Sequence, residues 1–469
     1  MKLQQSNNNN NINKIMKNKF FAILVIFLFL GFSCSEERVV FIDGDIITEP
    51  VIEPVLENVE ISPMLVGNNV WYRNPSDMVW QLTADSGVQS LRIGGNGYND
   101  NMPSNTELID WVNRIQAMGA EPIMQVSQHD PASNAAALVK LFNVDLVTGK
   151  AIKYWNIGNE PWLEANRPAT STVGAIVEPY FKDRAAAMKE VDPTIKIYGP
   201  DFAYYIEDAI DDLFGGKNNI AGKVPGKDYY YCDGLAWHRY PQSDSANQNL
   251  AYEGLADFET SIKKCKEKID AVNKQLNRTG DDALGWGIGE FNARDGAWVH
   301  NWGNGQMFAG ILNLCMKYEA KYATTWSMFE NGGSRSGTDY SFIDGNMTPR
   351  ATYRHMEMVA KNFGGLYAEG KSSKSDVIVF GSVQGGKISV MLINRANSLT
   401  QFNLNLNSTT VNTTGGIALN INAGSDLTYS GSIEALATHT YIFENGKITR
   451  IAYTSSDFSG GRAPVVTEL

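Results

Sequence analysis

The chain has 469 residues and a formal net charge of −11, enough for two or three units at roughly 150 residues each, or for one barrel of about 250 residues with an addition. Hydrophobic residues make up 43% and aromatics 11%, which supports a large core. The acidic balance and the lack of a basic stripe argue against nucleic acid or an anionic membrane face as the main partner.

At the N-terminus Lys14, Lys17 and Lys19 precede the apolar run Phe20 to Phe32. The run is too short to span a bilayer comfortably, so residues 1–33 read as a signal peptide outside the fold, and the Asn7 to Asn11 tract within it carries no function. The run closes on Gly31-Phe32-Ser33-Cys34, which resembles a bacterial lipobox, where the cysteine is lipidated and becomes the mature N-terminus. An ordinary secretory leader with an incidental cysteine is the alternative. Ser35-Glu36-Glu37 is similar to the acidic export tags of some Gram-negative surface lipoproteins. These resemblances imply a lipid anchor at Cys34 in the outer membrane, at the cell surface or in the periplasm. Residues 34–57, rich in Val, Ile, Glu and Pro, read as a lipidated tether able to add an edge strand downstream.

From Ile61 short β-branched runs alternate with helical periodicities, the pattern of a parallel sheet. Strands are expected at Ser62 to Gly67, Gln89 to Ile93, Glu121 to Val126, Lys153 to Ile157, Lys196 to Tyr198, Gly234 to Trp237, Gly285 to Ile288 and Ala323 to Met328. Helices are expected at Thr106 to Met118, Glu178 to Val191, Phe258 to Leu276, Gly305 to Tyr318 and Thr348 to Phe363. Eight strands close a barrel, so the chain falls in the α/β class as a (β/α)8 TIM barrel over 58–364. After Gly365 only strands follow, at Val377 to Val383, Lys387 to Asn394, Gln401 to Leu406, Ile417 to Ile421 and Thr438 to Phe443. They form a small C-terminal β-sandwich domain, 365–454, packed beside the barrel, and 455–469 reads as a loosely ordered tail. Cys232, Cys265 and Cys315 fit no zinc spacing and read as unpaired thiols. The five histidines show no paired ligand spacing, so no metal and no cofactor is expected.

Reacting groups of such a barrel sit just past the C-terminal ends of its strands. The fourth expected strand ends Trp155-Asn156-Ile157-Gly158-Asn159-Glu160-Pro161, and the seventh ends Gly289-Glu290-Phe291-Asn292. Two carboxyls facing across a sugar are what glycoside hydrolysis requires: one protonates the leaving oxygen and the other attacks the anomeric carbon or activates water. The sequence offers that pair in Glu160 and Glu290.

The Trp155 to Pro161 segment resembles the Asn-Glu-Pro signature of the clan A glycoside hydrolases, which are retaining (β/α)8 barrels. That resemblance covers the barrel in order and spacing. It implies Glu160 as acid/base, Asn159 as a ligand of the sugar 2-hydroxyl and Glu290 as nucleophile. Leu91-Arg92-Ile93-Gly94-Gly95-Asn96 is similar to the segment whose arginine lies under the nucleophile. Arg92 there would lower the nucleophile's pKa, the alternative being a purely structural ion pair. Trp237-His238-Arg239-Tyr240 falls where clan members place a His or Tyr bonded to the nucleophile, so His238 and Tyr240 become supporting residues or wall packing. Trp326 fits the aromatic floor for the sugar ring. Asn68, Asn69, Gln128, His129 and Asp201 either bind hydroxyls or cap the next helix. The Arg294 to Gly305 loop offers Trp298, His300 and Trp302 for stacking or as a folded lid. Arg335 is either a cation for sulfate or uronate or a solvated side chain.

The barrel-plus-sandwich plan resembles glycoside hydrolase family 39, with its β-xylosidases and α-L-iduronidases, and the Arg92 segment is similar to the β-glucuronidase and heparanase group. Together these imply a retaining hydrolase acting on a plant or algal poly- or oligosaccharide, sulfated or uronate-bearing substrates included. A non-catalytic carbohydrate-binding protein on a barrel and a transglycosylase are the alternatives.

Overall fold

The computed structural model describes residues 39–42, 45–48, 59–146, 151–241, 248–294, 296–333, 338–407 and 417–469. The expected signal peptide, Cys34, most of the tether and Arg335 lie outside the described residues. Strands β1 (Val39–Ile42) and β2 (Asp45–Thr48) pair antiparallel as a two-stranded sheet of their own. They belong to a unit that ends at Val55, and a second unit begins at Leu56.

That unit opens with a closed barrel of eight parallel strands in the order β10-β3-β4-β5-β6-β7-β8-β9. Its elements in chain order are β3 (Val66–Val70), α1 (Asp77–Asp85), β4 (Ser90–Ile93), α2 (Gly97–Asp100), α3 (Asn105–Ala117), β5 (Glu121–Val126), α4 (Ala132–Lys140), β6 (Tyr154–Ile157), α5 (Pro161–Glu164), α6 (Val173–Val191), β7 (Lys196–Phe202), α7 (Glu207–Leu213), β8 (Gly234–Arg239), α8 (Gln248–Leu276), β9 (Gly285–Phe291), α9 (Trp302–Lys317), β10 (Ala323–Thr325) and α10 (Ala351–Asn362). The helices bury one stripe against the strands. In α3 the Ser104–Glu107 capping box fixes the start, and Leu108, Trp111, Val112 and Ile115 fill the stripe at helical spacing.

Alternation along each strand places the site. Leu91 and Ile93, Met124 and Val126, Trp155 and Ile157 face the helices within the main core, so Arg92, Gln125 and Asn156 between them point into the bore. Deeper in the bore, Met64, Ile123, Tyr154, Tyr198, Ala236 and Tyr322 form a separate buried cluster. The bore is thus plugged by apolar and tyrosine side chains below and turns polar toward the mouth.

Several barrel boundaries differ from expectation: β7, β8 and β9 run on to Phe202, Arg239 and Phe291, and β10 stops at Thr325. The first strand begins at Val66, because Ser62 to Leu65 turns, with Leu65 N donating to Ser62 O at 3.1 Å, and Pro63 has no N–H to give a ladder. Asn68 and Asn69 therefore lie within β3, fully buried. Helix α6 starts at Val173 and carries Pro179 inside it, in its second turn, where the ring removes one helix hydrogen bond.

The C-terminal part is one nine-stranded sheet that curls into a sandwich-like domain, in the order β16-β14-β15-β11-β12-β13-β17-β18-β19. The strands are β11 (Leu366–Ser372), β12 (Val377–Gln384), β13 (Lys387–Asn394), β14 (Thr400–Asn405), β15 (Ile417–Ile421), β16 (Thr428–Ile433), β17 (Ala437–Glu444), β18 (Lys447–Thr454) and β19 (Val465–Glu468). Strand β11 pairs β12 through Leu366 to Glu369 and β15 through Gly370 to Ser372, so it is the corner between layers. Residues 59–61 extend its edge, with Glu60 bridged to Leu366. The segment 455–469, expected to be loose, instead carries helix α11 (Ser455–Ser459), capped by a Thr454–Asp457 box, and β19 pairs antiparallel with β18. Cys232, Cys265 and Cys315 are free and buried.

Candidate active site

The chain leaves β6 through Gly158, at φ +76, where a Cβ would collide with Gln128. Glu160 then takes a left-handed conformation, φ 46 and ψ 50, fixed by its N–H donating to Asp201 O at 2.9 Å. Non-glycine residues hold such angles at a cost of about 1–3 kcal/mol, and they concentrate at functional sites. Opposite, Glu290 sits on β9 two residues past the helix-facing Ile288, and the register shift where β8 pairs with β9, between Trp237 and His238, turns it to the bore side. One carboxylate oxygen from each of Glu160 and Glu290, with a ring nitrogen of His238, lie within 4.8 Å of one another.

Each carboxyl is held on a different side. Tyr240 Oη donates to Glu290 Oε2 at 2.8 Å, and Arg92 Nη1 donates to Glu290 Oε1 at 3.2 Å. Asn96 Nδ2 donates to Glu160 Oε2 at 2.6 Å. His238 Nδ1 lies 3.0 Å from Glu160 Oε1 and 3.4 Å from Glu290 Oε2, while its Nε2 lies 3.7 Å from Asp201 Oδ1. Arg92 is fully buried and spends its remaining donors on Asn69 Oδ1 at 2.9 Å, Asn159 Oδ1 at 2.5 Å and Asn156 Oδ1 at 3.2 Å, with Asp201 Oδ2 at 3.4 Å. Asn159 in turn donates to Asn96 Oδ1 at 2.7 Å. The bore is therefore a connected polar network in which the carboxyls are fixed from below and left open above.

Burial pushes the Glu290 carboxyl up, and the Glu160 charge adds to this, against His238, Arg92 and the Tyr240 hydrogen bond, so its pKa lies above the ordinary carboxylate value. Burial also opposes the Glu160 charge, but the His238 hydrogen bond and charge, with Asn96 and Arg92, bring it below that value. Burial works against an imidazolium at His238, yet Glu290, Glu160 and Asp201 outweigh it and raise its pKa. Tyr240, raised well above 10.0 by burial and then by Glu290 and Glu160, stays a neutral donor.

The structure brings together Glu160, Glu290, Asn159, Arg92, His238, Tyr240 and Asn69. It differs from expectation in that His238 is nearer Glu160 than Glu290, so it is not a support of Glu290 alone. Trp326 stands at the mouth beside Trp71, ring centroids 5.9 Å apart, with its Nε1 donating to Glu330 Oε1 at 3.0 Å. His129 is half-exposed and bonds Asp100 at 2.7 Å, outside the network. Trp298 is 1% exposed in the core and Trp302 opens α9, so neither offers a face to a sugar. An apolar ring in a polar loop found burial beneath the sheet-facing helix instead. His300 donates to the Asp339 carbonyl at 2.7 Å.

Sequence reasoning passed over Asn96 and Glu330 as working parts, and offered Asp201 only as a hydroxyl ligand or helix cap, whereas it faces Arg92 and His238 in the bore. Asn96 was legible, since it closes the Leu91 to Asn96 segment at a strand mouth. Glu330 was not, because its contact with Trp326 depends on how the β10 loop folds back. Burial pushes the Glu330 carboxyl up to about 7, although Tyr340 N–H and Trp326 N–H bond it. Beyond Glu160 lies a cavity of 480 Å³ lined by Trp162, Arg167, Tyr204, Arg239, Tyr240 and Arg294 among others. A larger cavity of 860 Å³ lies at the opposite end of the barrel, around Lys153, Tyr154, Lys196 and Lys321, far from the carboxyls. Among the described residues the groupings with ligand atoms close enough for an ion are Glu160, His238 and Glu290, and Asp100, His129 and Glu164. In the first, every ligand group is already engaged by a protein donor or acceptor.

The fold is one shared with solved glycoside hydrolases. An α-L-arabinofuranosidase from Thermotoga maritima, in complex with arabinose, superposes with a TM-score of 0.58 at 14% identity, over 86% of this chain and 98% of its own. A Paenibacillus polymyxa xyloglucanase of glycoside hydrolase family 44 gives 0.57 at 11% identity, over 82% and 96%. A family 30 endoxylanase from Clostridium papyrosolvens gives 0.52 at 14% identity, over 83% and 98%. No family model and no curated protein matches the sequence.

Proposed function

We propose that this protein is a retaining glycoside hydrolase that cleaves a plant or algal poly- or oligosaccharide, with Glu160 as acid/base and Glu290 as nucleophile. The observation that carries the reading is the facing pair, whose nearest carboxylate oxygens lie within 4.8 Å. Retaining enzymes hold their carboxyls about 5–5.5 Å apart, whereas inversion needs about 6.5–9.5 Å to admit a water. The shared fold of an arabinofuranosidase, a xyloglucanase and an endoxylanase supports the reaction class and leaves the sugar to the loops.

In this reading Glu290 attacks the anomeric carbon while Glu160 gives its proton to the departing glycosidic oxygen. A covalent glycosyl-enzyme forms, and Glu160, now a base, takes a proton from the water that releases the sugar. The step needs a proton on Glu160, whose pKa His238, Asn96 and Arg92 hold below the ordinary value, and a charged Glu290. His238 supplies that proton. Its proton at Nδ1, 3.0 Å from Glu160 Oε1, passes to Glu160 and leaves a neutral imidazole, while Arg92 and Tyr240 keep Glu290 charged. Trp326 offers the flat floor for the sugar, and Asn159 a ligand for its 2-hydroxyl.

Glu160→Ala is expected to lower kcat roughly 10²–10⁴-fold on a polysaccharide panel, and Glu290→Gln on the order of 10⁴-fold or more. The first product, followed by NMR, should keep the anomeric configuration of the substrate. Inversion, or undiminished hydrolysis in both variants, refutes the assignment. The leader and Cys34 support placement in the outer membrane through a lipid, and a Cys34→Ala chain that still partitions with membranes contradicts it.

A further inference from the structure

The cavity beyond Glu160 is walled by residues at and just past the ends of four consecutive barrel strands: Trp162, Leu163 and Arg167 after β6, Ala203 and Tyr204 after β7, Arg239 and Tyr240 at the end of β8, and Arg294 after β9. Glu160 lines it and Glu290 does not. Because a nucleophile attacks opposite the bond that breaks, the group that leaves lies on the acid's side. A sugar in this cavity is the leaving sugar.

The wall carries three guanidiniums in a chain with net charge −11. None of Arg167, Arg239 and Arg294 forms an ion pair among the described residues. Arg167 is exposed and lies 5.8 Å over the Trp162 ring. Arg294 is exposed. Arg239 is partly buried, gives one Nη2 bond to Gly254 O at 3.0 Å, and keeps a buried Nε without a partner. The negative groups nearby are Glu160 on the wall, Glu164 on the same turn as Trp162, and Asp257, whose charge reaches Arg239. Trp162 and Tyr204 meet edge to face at 5.3 Å and 90°, giving the apolar surface that a pyranose ring needs beside its charged substituent.

Resting on the hydrolase reading, we propose that this cavity is the leaving-group subsite for a sugar carrying an anionic substituent, a uronate carboxylate or a sulfate ester. Guanidinium forks match the planar oxygens of either anion, and they stay charged at any pH the enzyme meets. An acidic protein repels anionic polysaccharide at long range, so recognition has to come from a local cationic wall of this kind.

The test uses xylo-, galacto- and gluco-oligosaccharides, each in neutral, uronate-bearing and O-sulfated form. Hydrolysis by the wild-type chain is paired with calorimetric binding to the Glu290→Gln chain. The anionic members are expected to have kcat/KM at least about 10-fold above their neutral counterparts, and the preferred anionic arm identifies the substituent. In Arg167→Gln/Arg294→Gln, two exposed positions, that ratio should fall roughly 10- to 100-fold, with binding that weakens as salt rises. Arg239→Gln, checked for an intact fold by its thermal transition, should lower the same ratio. Equal cleavage of neutral and anionic members, or a preference that survives both variants, overturns the subsite while the hydrolase reading stands. Arginine-dependent binding of anionic members without any cleavage supports the subsite as a binding site and overturns the hydrolase reading. Neither binding nor cleavage overturns both.

Discussion

His238 is the residue on which the charge of the site turns. It is fully buried, faces carboxylate oxygens at 3.0, 3.4 and 3.7 Å, and holds its proton to higher pH than a free imidazole because those charges outweigh burial. Two carboxyls and one imidazole this close titrate as a group, so the alkaline limb of the pH–rate profile reports loss of the proton the trio shares. For the wild-type chain that limb is expected above the ordinary histidine value. His238→Gln leaves Glu160 as the proton's holder, and the limb should move to lower pH while kcat falls roughly 10²-fold. A limb that stays in place while kcat drops assigns His238 a packing role. The sequence placed His238 at a strand mouth but not its preference for Glu160, because that depends on how β6 and β8 sit across the bore.

At the scale of elements, the turn after β4 shows how closely backbone and site are fitted. Gly95 has φ +123, its N–H donates to Gln125 Oε1 at 2.8 Å, and an added Cβ would stand 2.6 Å from the Trp326 ring. Gly95→Ala is expected to shift the Trp326 floor and strain the turn. Steady-state kinetics should show kcat/KM lower by roughly 10- to 100-fold, and denaturant unfolding a loss of about 1–3 kcal/mol. Wild-type kinetics would mean that Trp326 does not bind the ring. Strands β5, β13 and β15 were legible to the residue, since each is written as a short apolar run bounded by polar or turn residues. Strands β16 and β18 were not, because their side chains are mostly half-exposed and the apolar rhythm is faint. Trp298 and Trp302 misled for the converse reason: rings in a polar loop look like a binding surface until a neighbouring layer covers them.

Across the whole molecule, the barrel and the curled sheet meet through buried polar contacts. His355 on α10 donates from Nδ1 to Ala351 O at 2.8 Å and accepts at Nε2 from Thr438 Oγ1 on β17 at 2.9 Å. Trp302 packs on His355 and on Tyr453 of β18, with centroids at 5.0 and 4.7 Å. Burial lowers the His355 pKa to about 4, so below about pH 6.5 the unfolded chain takes up a proton that the folded chain refuses. Stability should therefore fall as pH drops from about 6.5 to about 4, by about 3 kcal/mol from this group. Thermal unfolding across that range checks it, and His355→Gln should flatten the slope. An equal slope in the variant would place the acid sensitivity elsewhere.

The sequence by itself determined the barrel, its eight strands and the two glutamates at the mouths of the fourth and seventh, because each is written in a run of neighbouring residues. The tertiary structure decided what those residues face. Which carboxyl His238 serves, whether a tryptophan is floor or core, and the gathering of Arg167, Arg239 and Arg294 from the ends of three different strands are set by barrel closure, which joins positions that no local pattern relates.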